Sequence, residues 1–387
     1  MISDEHALSD MIKIIQKDVV NEYVPIKTVL LIVIGGRNCV NTHPMSKNIM
    51  INDDGGIGKD FLVSTIMKTT DKEKWFVQKS PTPASITLTQ RPDKNGVIIN
   101  PITRDTVIYI EDATPKYTDD NSHFKLILDN DVVNYQVVDK MQTFSVNIPK
   151  AIVIVTCAES SSNKQFSRRL PQLSLDNSTE QNKAITKRKL DIETGKYIGI
   201  TDDDALEVCK YIKSLKKFKV VVPESVSDII KKEFLSDNYD KIFIRTLVNR
   251  IYDYVKFSTI IHQHNRTTDN RGRLIATIDD YNNIRDVVKL VYKVYPQSGN
   301  TSLSQFNKRQ KNIISEIENN PKKQYTIDSL YHLNCSGDAS KETIYRDMRK
   351  IVREVKHIKL FETPLKSTSN YYYCDKQINE KEVLFDI

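Results

Sequence analysis

The chain is poor in the residues that build fibrous, disordered or disulfide-held proteins. Its 387 residues hold only 11 glycines and 13 prolines beside 39% hydrophobic and 8% aromatic residues, which excludes collagen-like and low-complexity chains. Five cysteines (Cys39, Cys157, Cys209, Cys335 and Cys374) are scattered with no C-x-x-C pair. They offer neither a zinc site nor a disulfide framework, and they read as reduced thiols. Long apolar runs are missing as well. The longest, such as Val29 to Ile34, fall far short of the roughly 18 residues a membrane-spanning helix needs. The start, Met-Ile-Ser-Asp-Glu-His, lacks the basic and then apolar stretch of a secretory signal, so a cytoplasmic protein without membrane contact is expected.

What is present is enough chain for two or three cored domains and an uneven charge. The net charge is +7, and the stretch from Thr301 to Lys376 holds 14 Lys+Arg against 9 Asp+Glu. A nucleic-acid surface is therefore sought first near the C-terminus. In the first half, β-branched stretches at Val29 to Ile34, Asn48 to Asn52, Thr106 to Ile110 and Ala151 to Thr156 alternate with helical ones. That alternation predicts an α/β fold with a mostly parallel sheet, whose ligands bind beyond the carboxyl ends of the strands. Polar and basic residues between Pro171 and Lys196 read as a mobile connection. Helical periodicity then runs through Leu206, Cys209 and Ile212, through Leu247 to Ile261, and through Tyr281 to Val291. The expected division is an N-terminal helix in 1–24, an α/β core in 25–198, a helical subdomain in 199–295, a linker in 296–304, a small C-terminal domain in 305–376 and a tail in 377–387.

The sharpest local signal is Ile51-Asn-Asp-Asp-Gly-Gly-Ile-Gly-Lys-Asp-Phe-Leu62, a glycine-rich loop between strand and helix. Phosphate binding needs converging backbone N–H groups, a helix N-terminus and a lysine, and Gly55, Gly56, Ile57, Gly58 and Lys59, followed by Asp60 and Phe61, supply them. Against G-x-x-x-x-G-K-[ST], Asp53 replaces the first glycine and Asp60 replaces the hydroxyl that touches Mg2+. A plain glycine-rich turn is the competing reading of the loop alone. Fifty-two residues after Lys59, Val107-Ile-Tyr-Ile-Glu-Asp112 ends in two carboxylates. Glu111 suits a metal held through water and Asp112 a base that orients the attacking water, although the usual order of the two residue types is reversed. A third strand ends at Thr156, whose hydroxyl suits the same water. The run Phe166-Ser-Arg-Arg-Leu-Pro then offers Arg168 and Arg169 as groups for charge on a transferring phosphate, with a surface arginine pair as the alternative.

Taken in order, the glycine loop, Glu111-Asp112, Thr156 and Arg168-Arg169, followed by a helical subdomain, resemble an AAA+ ATPase over about residues 25 to 295. The resemblance implies a P-loop AAA+ core with an α-helical lid, with ATP and Mg2+ as cofactors. It makes Glu111 a metal ligand and leaves Asp60, in place of the family's Ser or Thr, either to ligate the metal directly or to weaken nucleotide binding, and it has Arg168 or Arg169 reach a neighbouring subunit, hence a homo-oligomeric ring such as a hexamer. In Ile244-Arg-Thr-Leu-Val-Asn-Arg-Ile-Tyr-Asp-Tyr254, Arg245 is the first candidate for the lid arginine that senses nucleotide and Arg250 the second. Thr82-Pro-Ala-Ser-Ile86, Arg-Arg-Leu-Pro and the stretch from His262 to Tyr281 resemble the replicative-helicase-like, minichromosome-maintenance-related ATPases of plasmids, viruses and mobile elements. His262 and His264, two apart, point to opposite sides of a helix and suggest no metal site.

Beyond the linker, three helices and two strands form a winged-helix pattern. In the third helix, Ile344, Met348, Ile351, Val352 and Val355 make the buried stripe. Lys341, Thr343, Tyr345, Arg346, Arg349, Lys350 and Arg353 share the opposite face, and Lys359 and Lys366 lie on the hairpin. That face suits DNA, and a protein-docking module is the alternative. The expectation is an ATP-driven motor on DNA, of the replicative-helicase type, working with a primase or other replication proteins. Two alternatives stand beside it: an ATP-responsive regulator or loader that assembles on DNA without unwinding, and a degenerate scaffold that binds no nucleotide.

Overall fold

The computed structural model describes residues 2–53, 56–79, 101–114, 117, 121–139, 142–157, 168–235, 244–294, 308–320, 323–333, 340–355, 358–361 and 371–374. The chain divides into two compact units, Met1–Tyr295 and Pro296–Ile387.

The first unit begins with helix α1 (Ala7–Ile15), which buries Ala7, Leu8, Met11, Ile12 and Ile15. Helix α2 (Tyr23–Leu30) runs on through a π-helical turn, Leu31–Gly35, into a last α turn, Gly36–Asn38. Here the structure corrects the strand expected over Val29 to Ile34. Every residue from Val29 to Ile34 is fully buried, so neither a helical nor a strand period shows, and a short run buried all round does not distinguish the two.

There follow β1 (Asn48–Asn52), α3 (Lys59–Thr69), β2 (Trp75–Lys79), β3 (Val107–Glu111), α4 (Ser122–Asp129), an antiparallel hairpin of β4 (Val132–Asp139) and β5 (Gln142–Pro149), β6 (Ile152–Cys157) and β7 (Gln172–Leu173). Five strands form one parallel sheet in the order β2-β3-β6-β1-β7. The fold is thus α/β with a parallel central sheet. Alternation places Ile49, Ile51, Val107, Tyr109, Ile152 and Ile154 in one core, and Met50, Ile108, Ile110, Val153 and Val155 in the other. Both faces are covered, which is why these strands read as nearly unbroken apolar runs.

Helices α5 (Thr179–Glu193) and α6 (Asp202–Ser214), strand β8 (Val220–Val221), helices α7 (Glu224–Ile230) and α8 (Ile244–Ile261), strand β9 (Leu274–Ile275) and helix α9 (Ile278–Val294) complete the unit. Helix α5 replaces the mobile connection expected between Pro171 and Lys196. Ser178 caps it by accepting the Gln181 N–H, and Gln181 is its only buried residue. Good helix formers and a cap hold it. With almost nothing buried, no apolar stripe announced it. Helices α6, α8 and α9 share the core on the α3 side of the sheet. The His262 to Tyr281 stretch serves as a lock there. Asp280, fully buried, accepts from Arg266 Nε at 2.8 Å and Nη2 at 2.9 Å, from Ser258 Oγ at 3.0 Å and from the Thr277 N–H at 3.0 Å.

The second unit comprises α10 (Lys308–Asn319), α11 (Ile327–Tyr331), α12 (Lys341–Glu354) and an antiparallel pair, β10 (Ile358–Phe361) and β11 (Tyr371–Cys374). It has its own core, with Ile313, Ile317, Leu330, Ile344, Met348 and Ile358 at its centre. Among the described residues, no helix is long and apolar enough to cross a membrane.

Candidate functional site

Because the five strands run parallel, the loops after β1, β3 and β6 share one edge of the sheet. Gly56 and Gly58 have φ of +83° and +98°, a conformation L side chains rarely adopt, while nothing within 4 Å would obstruct a Cβ. Backbone geometry rather than room requires glycine in this turn. Gly55 lies outside the described residues. Lys59 opens α3 at 6% exposure, its Nζ donating to the Asp53 carbonyl at 2.7 Å. Asp53 in turn accepts the Leu175 N–H on Oδ2 at 3.0 Å and so ties the loop to the end of β7. Ile57 is half-buried against the core and Phe61 exposed.

At the centre of the edge is a hydroxyl–carboxylate cluster. Asp60 Oδ1 accepts from Thr156 Oγ1 at 2.6 Å and from the Tyr109 hydroxyl at 2.7 Å. Thr156 Oγ1 also accepts the Asp112 N–H at 3.1 Å, and its carbonyl accepts the Ala113 N–H at 2.8 Å. These two bonds turn the chain sharply after β3, where Asp112 takes a φ of +54°. Burial, and then the Asp60 carboxylate, push the Tyr109 hydroxyl above the ordinary phenol range, so it stays a proton donor to Asp60. Glu111, the last residue of β3, pairs with Lys79 at 3.2 Å. Lys79 is 76% exposed, so this surface pair is weak and readily exchanged.

The expected metal ligands fit a divalent ion in their chemistry. Asp60 Oδ2 has no protein hydrogen bond among the described residues. Mg2+ typically takes one or two protein carboxylates and fills its other positions with phosphate oxygens and water. Asp60 and Glu111 match that number, and among the described residues no group of three or more His, Cys, Asp or Glu is arranged for a metal.

No protein-family model matches this chain, and neither does any curated protein.

The arginines separate. Arg169 bonds Asp129 with Nε and Nη2, each at 2.7 Å. Arg168 is exposed. Arg245 is exposed near the start of α8, whereas Arg250 is 1% exposed and donates to the carbonyls of Met45 and Arg168. Thr82 to Ile86 lie outside the described residues. Sequence reasoning missed Tyr109 and Lys79 and named Asp53 only as a departure from the glycine pattern. For Tyr109 the signal was there: a phenol in an otherwise aliphatic buried strand needs a hydrogen-bond partner.

In the second unit, Ser340 caps α12 by accepting the Thr343 N–H. Buried Asp347 holds Arg309 Nε at 2.7 Å and Gln310 Nε2 at 2.6 Å, fixing α12 against α10. Tyr345, Arg346, Arg349 and Arg353 are exposed, Thr343 and Lys350 half-buried, and Lys359 exposed on β10. Lys341 pairs with Asp328 at 2.6 Å. A cleft of about 950 Å3 runs along this face, lined among others by Tyr345, Arg346, Arg349, Arg353, Asp328 and Leu360. Lys366 lies outside the described residues.

Proposed function

We propose that this protein is a P-loop ATPase of the AAA+ kind that works on DNA, with a winged helix as its C-terminal unit. One observation carries the reading. Lys59, Asp60, Glu111, Asp112 and Thr156 come from three sequence segments and meet at the carboxyl edge of one parallel sheet, with Asp60, Thr156 and the Asp112 backbone directly hydrogen-bonded. β6 lies between β1 and β3, so Thr156 sits between the phosphate loop and the carboxylate pair.

In this reading Lys59 and the loop N–H groups bind the terminal phosphates, and Asp60 and Glu111 hold Mg2+. When bound, Mg2+ neutralises charge on the β- and γ-phosphates. Asp112 orients the attacking water or takes its proton, and Thr156 fixes that water's second hydrogen bond. Arg168, exposed, is the arginine suited to a neighbouring subunit's site, because Arg169 is held by Asp129. Arg245 is the lid candidate that solvent reaches, and Arg250 braces the fold. The basic face of α12 binds DNA phosphates. A replicative-type helicase is the activity these parts support best.

Steady-state ATP hydrolysis with Mg2+, with and without single-stranded DNA, tests the proposal. DNA-stimulated turnover that Lys59→Ala abolishes supports it, and its absence in the wild type removes the motor. A second reading, a nucleotide-responsive DNA-binding regulator or loader, is favoured by the carboxylate at Asp60 and the reversed Glu111-Asp112 order. It predicts nucleotide-dependent assembly without strand displacement.

A further inference from the structure

Strand β3 carries a hydroxyl that its packing does not need. Tyr109 is 2% exposed among Val107, Ile108 and Ile110, where phenylalanine would fill nearly the same volume with no polar atom to satisfy. The hydroxyl goes to Asp60 Oδ1 at 2.7 Å, beside the 2.6 Å bond from Thr156 to the same oxygen. Two donors on Oδ1 fix the rotation of the carboxylate and present Oδ2 as its uncommitted oxygen.

Tyr109 also touches the chain's single tryptophan. The Trp75 ring stands edge-on to it, with centroids 6.5 Å apart and planes at 87°. Trp75 Nε1 donates to Thr70 Oγ1 at 3.1 Å, at the far end of the helix that begins with Lys59 and Asp60. One fluorophore is thus tied both to that helix and to the Asp60 partner.

We infer that Tyr109 is a positioning residue that makes Asp60 a ligand for the divalent metal accompanying the nucleotide, and that Trp75 reports the event. The inference rests on the nucleotide site proposed above. Partners that orient a metal ligand typically contribute about 10- to 100-fold to metal affinity.

The test measures ATPγS binding by calorimetry without metal and across a Mg2+ titration, with Trp75 fluorescence followed in parallel. It compares the wild type, Tyr109→Phe, Asp60→Ser and the double variant. Tyr109→Phe should leave metal-free ATPγS affinity unchanged, weaken Mg2+ about 10-fold or more, and lose the Mg2+-dependent fluorescence change. In the Asp60→Ser background the same substitution should have no further effect on Mg2+. Equal Mg2+ affinity in the wild type and Tyr109→Phe overturns the inference. So does an equal loss in both backgrounds, or loss of metal-free binding together with a lowered melting temperature, since either marks a merely structural side chain. A wild-type protein that binds no ATPγS under any condition overturns the nucleotide reading itself, and the role of Tyr109 falls with it.

Discussion

Gly35 and Gly36, adjacent in the same helical segment, should respond oppositely to alanine. A Cβ on Gly35 would stand 2.5 Å from Phe257 Cβ, 2.6 Å from its Cα and 2.6 Å from its carbonyl oxygen, so backbone as well as side chain blocks it. Ordinary contact begins at 3.4 Å, so α8 must withdraw by about 0.9 Å across a core in which every neighbour from Leu30 to Ile34 is fully buried. Overpacking of this kind costs about 1–3 kcal/mol or more, and the lower chain entropy of alanine offsets only about 0.4–1 kcal/mol of it. At Gly36 the nearest atom is the far end of the Phe257 ring at 3.5 Å, an ordinary contact. There the entropy gain stands alone, and Gly36→Ala should be neutral or stabilising by up to about 1 kcal/mol. Urea unfolding followed at Trp75, which lies in the same unit, measures both. The entropy gain is common to both variants, so the expected gap between them is the overpacking cost, about 1–3 kcal/mol or more. Equal midpoints would refute the crossing of α2 and α8 and, with it, the helical assignment of this apolar run.

Two further outcomes follow from charge. Burial, and then the neighbouring carboxylates of Asp176 and Asp53, push the Glu22 carboxyl up to about 7, from 4.5. A carboxyl raised in the folded state stabilises fully below its unfolded value and loses that contribution as pH climbs from about 4.5 to about 7, by about 3 kcal/mol at most. Glu22→Gln should therefore flatten the stability profile over that window and gain most at pH 8, by equilibrium unfolding at each pH; an unchanged slope refutes it. On α12, replacing Arg346, Arg349 and Arg353 together should lower the slope of log affinity against log salt by about 0.9 per lost phosphate contact on duplex DNA, read by fluorescence anisotropy. An unaltered slope removes this face from the DNA interface.

How much of this was legible in the sequence depends on what each element needs from distant parts of the chain. β1, β3 and β6 lie within a residue of their expected bounds, and α12 buries Ile344, Met348, Ile351 and Val355 of its expected stripe, because β-branched runs and a clean apolar stripe are local signals. The Val29 to Ile34 run misled because its environment, not its pattern, makes it helical: it lies against α8 at Gly35. Helix α5 was hidden by the opposite condition, having a cap and good helix formers but almost nothing buried. Among the described residues the β4–β5 hairpin pairs only with itself, and its strands had no turn signal strong enough to separate them. At the site, residue types and order were readable, but partners were not. Arg169 looked equivalent to Arg168 until Asp129, 40 residues away, claimed it.

The departures from the phosphate-loop pattern look like independent losses when read along the chain, and they are connected in space. Asp53, in place of a glycine, uses its carboxylate to hold the Leu175 N–H and its carbonyl to receive Lys59. Asp60, in place of a hydroxyl residue, receives hydroxyls from Tyr109 and Thr156 instead of supplying one. The reversed carboxylate pair ends with Asp112 at φ +54°, its N–H bonded to that same Thr156. Thr156 is therefore where two of the three departures meet. The usual pattern needs one hydroxyl after the lysine; this chain moves hydroxyls to β3 and β6 and brings a carboxylate to them. Asp53 and Asp60 are half-buried and Asp112 is exposed, and each departure finds a hydrogen-bond partner in a neighbouring segment. Two of them share Thr156 and the third receives the lysine beside Asp60, which is why the site is read from the cluster and not from the motif.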